Sequence, residues 1–270
     1  MKTFSMINKK IKEAINKTLP LSFGKMGSIE AMHVSQYMTS GYLRSNPSLF
    51  INAGIYTQDQ EDLKLWLDDY IESVKDLDYI LQWCKEQGDQ FVIDKVWSGK
   101  GIFNKFTDME PYTHEKDGWH YSLSDKKVLF ISPFSDTVKE QAKKYDKVWN
   151  GAGIGDVITV TSPYSEALTG EVPIKWSDKL EAMLDKIKDL DFDFATVGCG
   201  GFSLSVCRFI KSMGKPCVHL GGGNQLLFGI KGKRWDEHEL LSKYYNEHWV
   251  RPLAHEVPKN NTLVEGGCYW

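Results

Sequence analysis

Isoleucines recur every four residues at Ile7, Ile11 and Ile15 with lysines between them, and this spacing predicts a short amphipathic N-terminal helix. Leu19 to Phe23 reads as a short strand, and Gly24-Lys25-Met26-Gly27-Ser28 as the turn that follows it. Ser28, ahead of Glu30 and Ala31, is placed to cap a helix running to about Tyr37. Asn46-Pro47 breaks the pattern. A longer helical run, of one helix or two, begins near Asp59: Leu63, Trp66, Leu67, Tyr70, Ile71, Val74, Leu77 and Leu81 repeat at helical spacing. Gly88-Asp89 closes it, and Phe91-Val92-Ile93 reads as a strand. From Trp97 to His120, Gly, Pro and aromatics mix without period, which reads as a loop-rich connection between two halves.

The second half alternates more clearly. Val128-Leu129-Phe130-Ile131 is a compact apolar strand broken by Ser132-Pro133, with a Lys-rich helix from Asp136. Val157-Ile158-Thr159-Val160 ends in the same way, at Ser162-Pro163. Leu180, Met183, Leu184, Ile187 and Leu190 share a helical face, and Phe192 to Val197 forms the next strand, followed by Gly198-Cys199-Gly200-Gly201. Leu204, Cys207, Ile210 and Met213 line a helix that Gly214 ends. Pro216 to Leu220 is the last strand, and Gly221-Gly222-Gly223 follows it. No internal repeat interrupts this order.

Strands alternating with helices of this length imply an α/β fold: a Rossmann-like, mostly parallel sheet flanked by helices. Two halves are expected. Residues 1–120 form an N-terminal α/β half carrying the Gly24–Glu30 loop, and residues 121–270 a Rossmann-like C-terminal half carrying the glycine-rich and basic loops. A chain of 270 residues with a 41% hydrophobic fraction can bury a sizeable core. Its net charge of −3 gives no electrostatic case for nucleic acid. No apolar run approaches the ~20 residues that span a bilayer, so no transmembrane segment is expected. The N-terminus lacks the uninterrupted apolar stretch of a secretory signal. The five cysteines form no C-x-x-C pair and are odd in number, which argues against a metal cage or a disulfide framework and for a cytoplasmic location.

In open parallel sheets, ligands bind beyond the carboxyl ends of the strands, where the special residues of this chain gather. Gly27, Ser28, Gly198, Gly200, Gly201, Gly221, Gly222 and Gly223 either make tight turns or let backbone N–H groups approach a phosphate. The Gly198 loop does not match G-x-G-x-x-G, and the Gly24 loop lacks the Lys-Ser/Thr ending of a P-loop. Lys231, Lys233 and Arg234 form a short basic segment that can neutralise a diphosphate or serve as a solvated turn. Trp235, Trp249 and Arg251 supply either a stacking wall or core. Glu30, in the first turn of its helix, is placed to bind a metal, orient a sugar hydroxyl, act as a base, or steady the helix start. His219, closing the last strand, can reach a phosphate or a leaving group, or be a structural histidine. Cys199 has no base nearby in sequence, which argues against a nucleophilic role. Asp191-Phe192-Asp193 precedes its strand and is expected at the sheet edge away from the ligand. Asp108-Met109-Glu110 has chelating spacing, but the irregular stretch around it gives it no position.

Val197 to Gly201, His219 to Trp235, Tyr245-Asn246-Glu247, Trp249 to Pro252 and Val264 to Trp270 together resemble a family of bacterial and viral proteins, often labelled hypothetical and described as GT-D-fold glycosyltransferases. The likeness runs from the first glycine loop to the C-terminus, and Gln225 lies within its longest block. The resemblance implies a Rossmann-like nucleotide-sugar site with a D-x-E element near the N-terminus. On this chain that element is Ser28-Ile29-Glu30, in which Ser28 replaces the aspartate. A Mn or Mg ion would then have one carboxylate and one hydroxyl, a weaker site for a hard cation.

The expected function is therefore a glycosyltransferase acting in glycan or glycoprotein synthesis, with a UDP-, GDP- or CDP-sugar donor and a glycan or glycoprotein acceptor. Glu30 and His219 are its catalytic candidates, and Lys231, Lys233 and Arg234 hold the diphosphate. His114, Trp119 and His120 of the irregular stretch are expected on the acceptor side. The rivals are a non-catalytic nucleotide- or phosphate-binding module and another nucleotide-dependent enzyme on the same fold.

Overall fold

A computed structural model describes residues 5–42 and 45–270. Seven strands form one sheet in the order β3-β2-β1-β7-β6-β4-β5: β1 Ser22–Lys25, β2 Tyr79–Leu81, β3 Gly101–Phe103, β4 Val128–Ser132, β5 Val157–Thr161, β6 Phe194–Val197 and β7 Cys217–His219. Every pairing is parallel. The expected α/β architecture is thus present. β1 pairs with β7, Phe23 opposite Val218, so one continuous sheet joins the strands of both halves of the chain.

The strands read as unbroken apolar runs because both faces of the sheet are covered. Their period-two alternation sorts side chains into two cores. Ile80, Leu129, Ile131, Ala195, Val197 and Cys217 face one core, with Leu63, Trp66 and Tyr70 of the Gln60–Asp76 helix and Ile210 of the Ser203–Ser212 helix. Phe23, Tyr79, Leu81, Val128, Phe130, Phe194 and Val218 face the other, with Ile7, Ile11 and Ile15 of the Met6–Lys17 helix. Burying one such side chain stabilises the fold by about 1.5–3 kcal/mol.

Local signals set the element ends. Ser5 accepts the Ile7 N–H at the start of the Met6–Lys17 helix, and Asp59 accepts the Asp62 N–H at the start of the Gln60–Asp76 helix. Lys175 gives the Trp176–Ile187 helix no side-chain cap. Asp62 supplies one from a distance, accepting the Trp176 and Ser177 N–H groups at 2.6 and 3.0 Å. Glu256, from the last segment, does the same for the Ser135–Ala142 helix through the Asp136 and Thr137 N–H groups.

Several stretches differ from the sequence reading. Gly24 and Lys25, expected in the turn, are the last residues of β1, which begins at Ser22 and not at Leu19. Leu81 lies in β2 and not in the preceding helix, which ends at Asp76. Buried Asp78 accepts the Ser22 N–H and fixes β2 beside β1. Phe91-Val92-Ile93 lies inside a helix, Asp89–Val96, and not in a strand. A three-residue apolar run carries no period of its own, so it cannot choose between the two. The irregular 97–120 stretch contains edge strand β3 and several short helical turns.

The chain leaves β4 toward β5 but leaves β6 toward β7, in opposite directions from adjacent strands. That divergence opens a crevice at the carboxyl ends of the strands. The last fifty residues fold across this edge. A 3-10 helix, Gly221–Phe228, follows β7, a single parallel bridge joins Ile230 to Val250, and turns follow to Trp270. Among the described residues, no helix is long and apolar enough to cross a membrane.

Candidate functional site

A cleft of about 250 Å³ lies over this crevice. The loops after β1, β4, β5, β6 and β7 all reach it. Of the residues singled out in the sequence, Gly27, Ser28, Glu30, Gly198, Gly200, His219, Gly221, Gly222, Gln225 and Arg234 line it.

The others lie elsewhere. The Gly201 carbonyl accepts the Trp66 indole N–H at 3.1 Å, and Gly223 packs beside Glu110 and Tyr112. Lys231 sits over the Tyr245 ring, Lys233 reaches the Gly266 carbonyl, and Arg251 pairs with Asp236. Trp235 is buried and makes a tilted ring contact with Tyr269. His120 and Trp119 are buried in the core that faces the Met6–Lys17 helix, and neither they nor His114 line the cleft. Asp193 accepts the Lys127 N–H, and Asp191 pairs with Lys127, at the amino ends of β6 and β4 and so away from the cleft.

The side chain that the sequence reading passed over is Lys25, the last residue of β1. It lines the cleft, and its Nζ lies 5.0 Å from the Trp83 ring centroid and 5.4 Å from that of Phe106. Among the described residues it has no hydrogen-bond or ion-pair partner. Burial pulls its pKa down, and the carboxylates of Glu30 and Glu110 offset this only in part. The available signal was position alone: a lysine ending a parallel strand, three residues before a helix.

Glu30 is in the first turn of the Ser28–Ser40 helix, and its carboxylate folds back against Gly27, where a Cβ would have to push it aside. Burial pushes its pKa up, while its own backbone N–H and Lys25 act the other way. Glu110, from the D-x-E that had no position, lies near Lys25, with its pKa pushed up to about 6 by burial. His219 is 6% exposed, and its pKa is held down to about 3, first by burial and then by Lys25. Its Nδ1 is 3.1 Å from the Val197 carbonyl, and Nε2 has no partner among the described residues. The imidazole is therefore neutral at physiological pH. Cys199 also lines the cleft, but burial pushes its thiol up to about 12, which leaves it unreactive.

Arg234 forms the second cationic wall. It pairs with Glu265, donates to the Tyr269 hydroxyl at 3.2 Å and lies over the Tyr269 ring, 4.8 Å from its centroid. Gly221 and Gly222 sit between the two cations, Gly221 against Lys25 and Gly222 against Tyr269. Gly198 is required for packing: a Cβ there would stand 2.5 Å from the Gly221 carbonyl oxygen.

The donors around Glu30 do not fit a divalent metal. Glu30 and Glu110 both act on the Lys25 ammonium, which already supplies the positive charge between them, and neither belongs to a group of three converging metal-ligating side chains among the described residues. Among the described residues, one group of three metal-ligating side chains converges: Asp136, His255 and Glu256. None of them lines the cleft, and Glu256 is already engaged in capping a helix. The arrangement over β1 and β7 is instead suited to an anion, with two cations, a helix N-terminus and side-chain-free backbone.

Compared with family models, curated proteins and solved structures, the chain matches none.

Proposed function

We propose that the protein is a glycosyltransferase that takes its sugar from a nucleoside-diphosphate donor, in the synthesis of a glycan or glycoprotein. The observation that carries this reading is the unpaired Lys25 ammonium facing Gly221 in a cleft over the sheet's switch point. The blocks that resemble GT-D-fold glycosyltransferases support it, since Gly198, Gly221, Gly222 and Arg234 belong to them and line the cleft.

In this reading the diphosphate of a UDP-, GDP- or CDP-sugar lies between Lys25 and Arg234. The bond from the anomeric carbon to the phosphate oxygen breaks, and the departing diphosphate is stabilised by the two cations. The acceptor hydroxyl forms the new bond, and its proton passes to Glu30, whose raised pKa brings it closer to a working base. His219 stays neutral and serves as a hydrogen-bonding group. Lys25 takes the place that a divalent ion holds at a D-x-E site, so the proposal requires no metal. Five free, buried cysteines fit a cytoplasmic setting.

The cleft volume favours a second reading. At about 250 Å³ it falls below the ~300–1,000 Å³ of common ligand sites, which suits a smaller phosphate-bearing ligand in a non-catalytic module or another nucleotide-dependent enzyme. Release of free nucleotide from UDP-, GDP- and CDP-sugars separates the two. Acceptor-dependent release that is lost in Glu30→Ala supports the transferase, and binding without release supports the module.

A further inference from the structure

The cleft has two poles, and only one carries charge. Lys25, Glu30 and Arg234 lie over β1 and β7, whereas the turns after β4 and β5 contribute Ser132, Phe134, Ser162, Tyr164 and Leu168. Trp270 completes this second pole and is the hub of its rings. Its centroid is 6.0 Å from Tyr164, 6.4 Å from Phe134 and 5.9 Å from Tyr269. The wall joins a small apolar cluster, in which Leu168, Val264 and Cys268 are buried and Ile51 and Tyr164 remain partly exposed, to the core that holds Phe134, with Tyr269 and Trp270 packed against both.

The polar tips of its two large rings, Tyr164 and Trp270, are already engaged. The Tyr164 hydroxyl and the Trp270 indole N–H both donate to the Glu256 carbonyl, at 2.5 and 3.2 Å. Those bonds fix the rings and leave apolar ring surface toward the cleft. A sugar would need donors and acceptors around its rim, which these tips cannot supply. A flat heteroaromatic ring needs only a face to stack on.

Resting on the reading of the cleft as a phosphate site, we propose that this wall is a stacking subsite for a nucleobase carried on the same ligand, with Trp270 as its platform. Because the tips cannot read a base edge, the subsite favours a base over no base but separates one base from another weakly.

Calorimetric titration of the full chain with inorganic pyrophosphate, UDP, GDP and uridine tests this in the wild type, Trp270→Leu and Trp270→Phe. The expected result is UDP and GDP binding at least about tenfold more tightly than pyrophosphate. Trp270→Leu should abolish that gain and leave pyrophosphate affinity within about twofold, while Trp270→Phe keeps most of the gain. Equal binding of UDP and pyrophosphate, or equal weakening of both by Trp270→Leu, overturns the subsite. If pyrophosphate does not bind at all, the phosphate reading falls and uridine decides the subsite. Uridine binding lost in Trp270→Leu sustains it, and no uridine binding overturns it. Should Trp270→Leu fail to fold, Tyr164→Leu takes its place with the same two outcomes.

Discussion

Lys25 Nζ stands 2.9 Å from the point where a Cβ on Gly221 would lie, so the paired strands β1 and β7 meet around one ammonium. Gly221 has φ +60°, a backbone conformation that costs an L side chain about 1–2 kcal/mol. Gly221→Ala should therefore lower stability by about that amount and push the lysine tip aside. Urea unfolding should show the stability loss, and pyrophosphate titration a matching loss of affinity. Unchanged values in both would mean that the two strand ends are not coupled in this way.

Lys25 lies where burial disfavours its charge, and its folded pKa is depressed. Its unfavourable contribution is greatest when it is protonated in both states, and stability rises as pH climbs through the folded pKa toward the ordinary lysine value of ~10.4. Lys25→Met should flatten that rise and make the ligand-free protein more stable at pH 7, while weakening anion binding. A variant less stable than the wild type would contradict this account of the lysine.

Glu110 has the opposite sign. Its folded pKa of about 6 is above the ordinary value of 4.5, so its contribution to stability is full below pH 4.5 and is lost as pH rises through 6. The loss should be about 2 kcal/mol, and Glu110→Gln should remove that pH dependence. Urea midpoints at pH 4.5 and pH 7 for both proteins check it.

The basic residues divide by place. Arg234 lines the cleft, while Lys231, Lys233 and Arg251 are held by Tyr245, Gly266 and Asp236 outside it. Arg234→Met should weaken pyrophosphate binding by about tenfold or more. The corresponding changes at the other three should leave it within about twofold. Equal losses at all four would place the anion elsewhere.

The glycine-edged unit from Gly198 to Gly223 and the four strands of the second half were legible because each strand is a complete apolar run with its own turn signal. The first half was harder. β2 and β3 are three residues each, too short for a period, and depend on long-range partners such as the Asp78–Ser22 contact. Within the site, Glu30 and Arg234 were legible from their positions in glycine-rich and basic motifs. Lys25 was not, because an unpaired lysine acquires meaning only once the other strand ends close around it. Glu110 was invisible as a neighbour of Lys25, since 85 residues of chain separate them and no local pattern relates them. The basic run of Lys231, Lys233 and Arg234 misled by its compactness, for the turn at Gly232 brings only Arg234 to the cleft.

The most direct test of the central claim is calorimetric titration of UDP-, GDP- and CDP-sugars into the wild type and Lys25→Met, with a chelator present throughout. The account predicts that at least one donor binds the wild type without added metal and that Lys25→Met loses about tenfold or more of that affinity. Absence of binding to every donor, or equal binding by Lys25→Met, would contradict it.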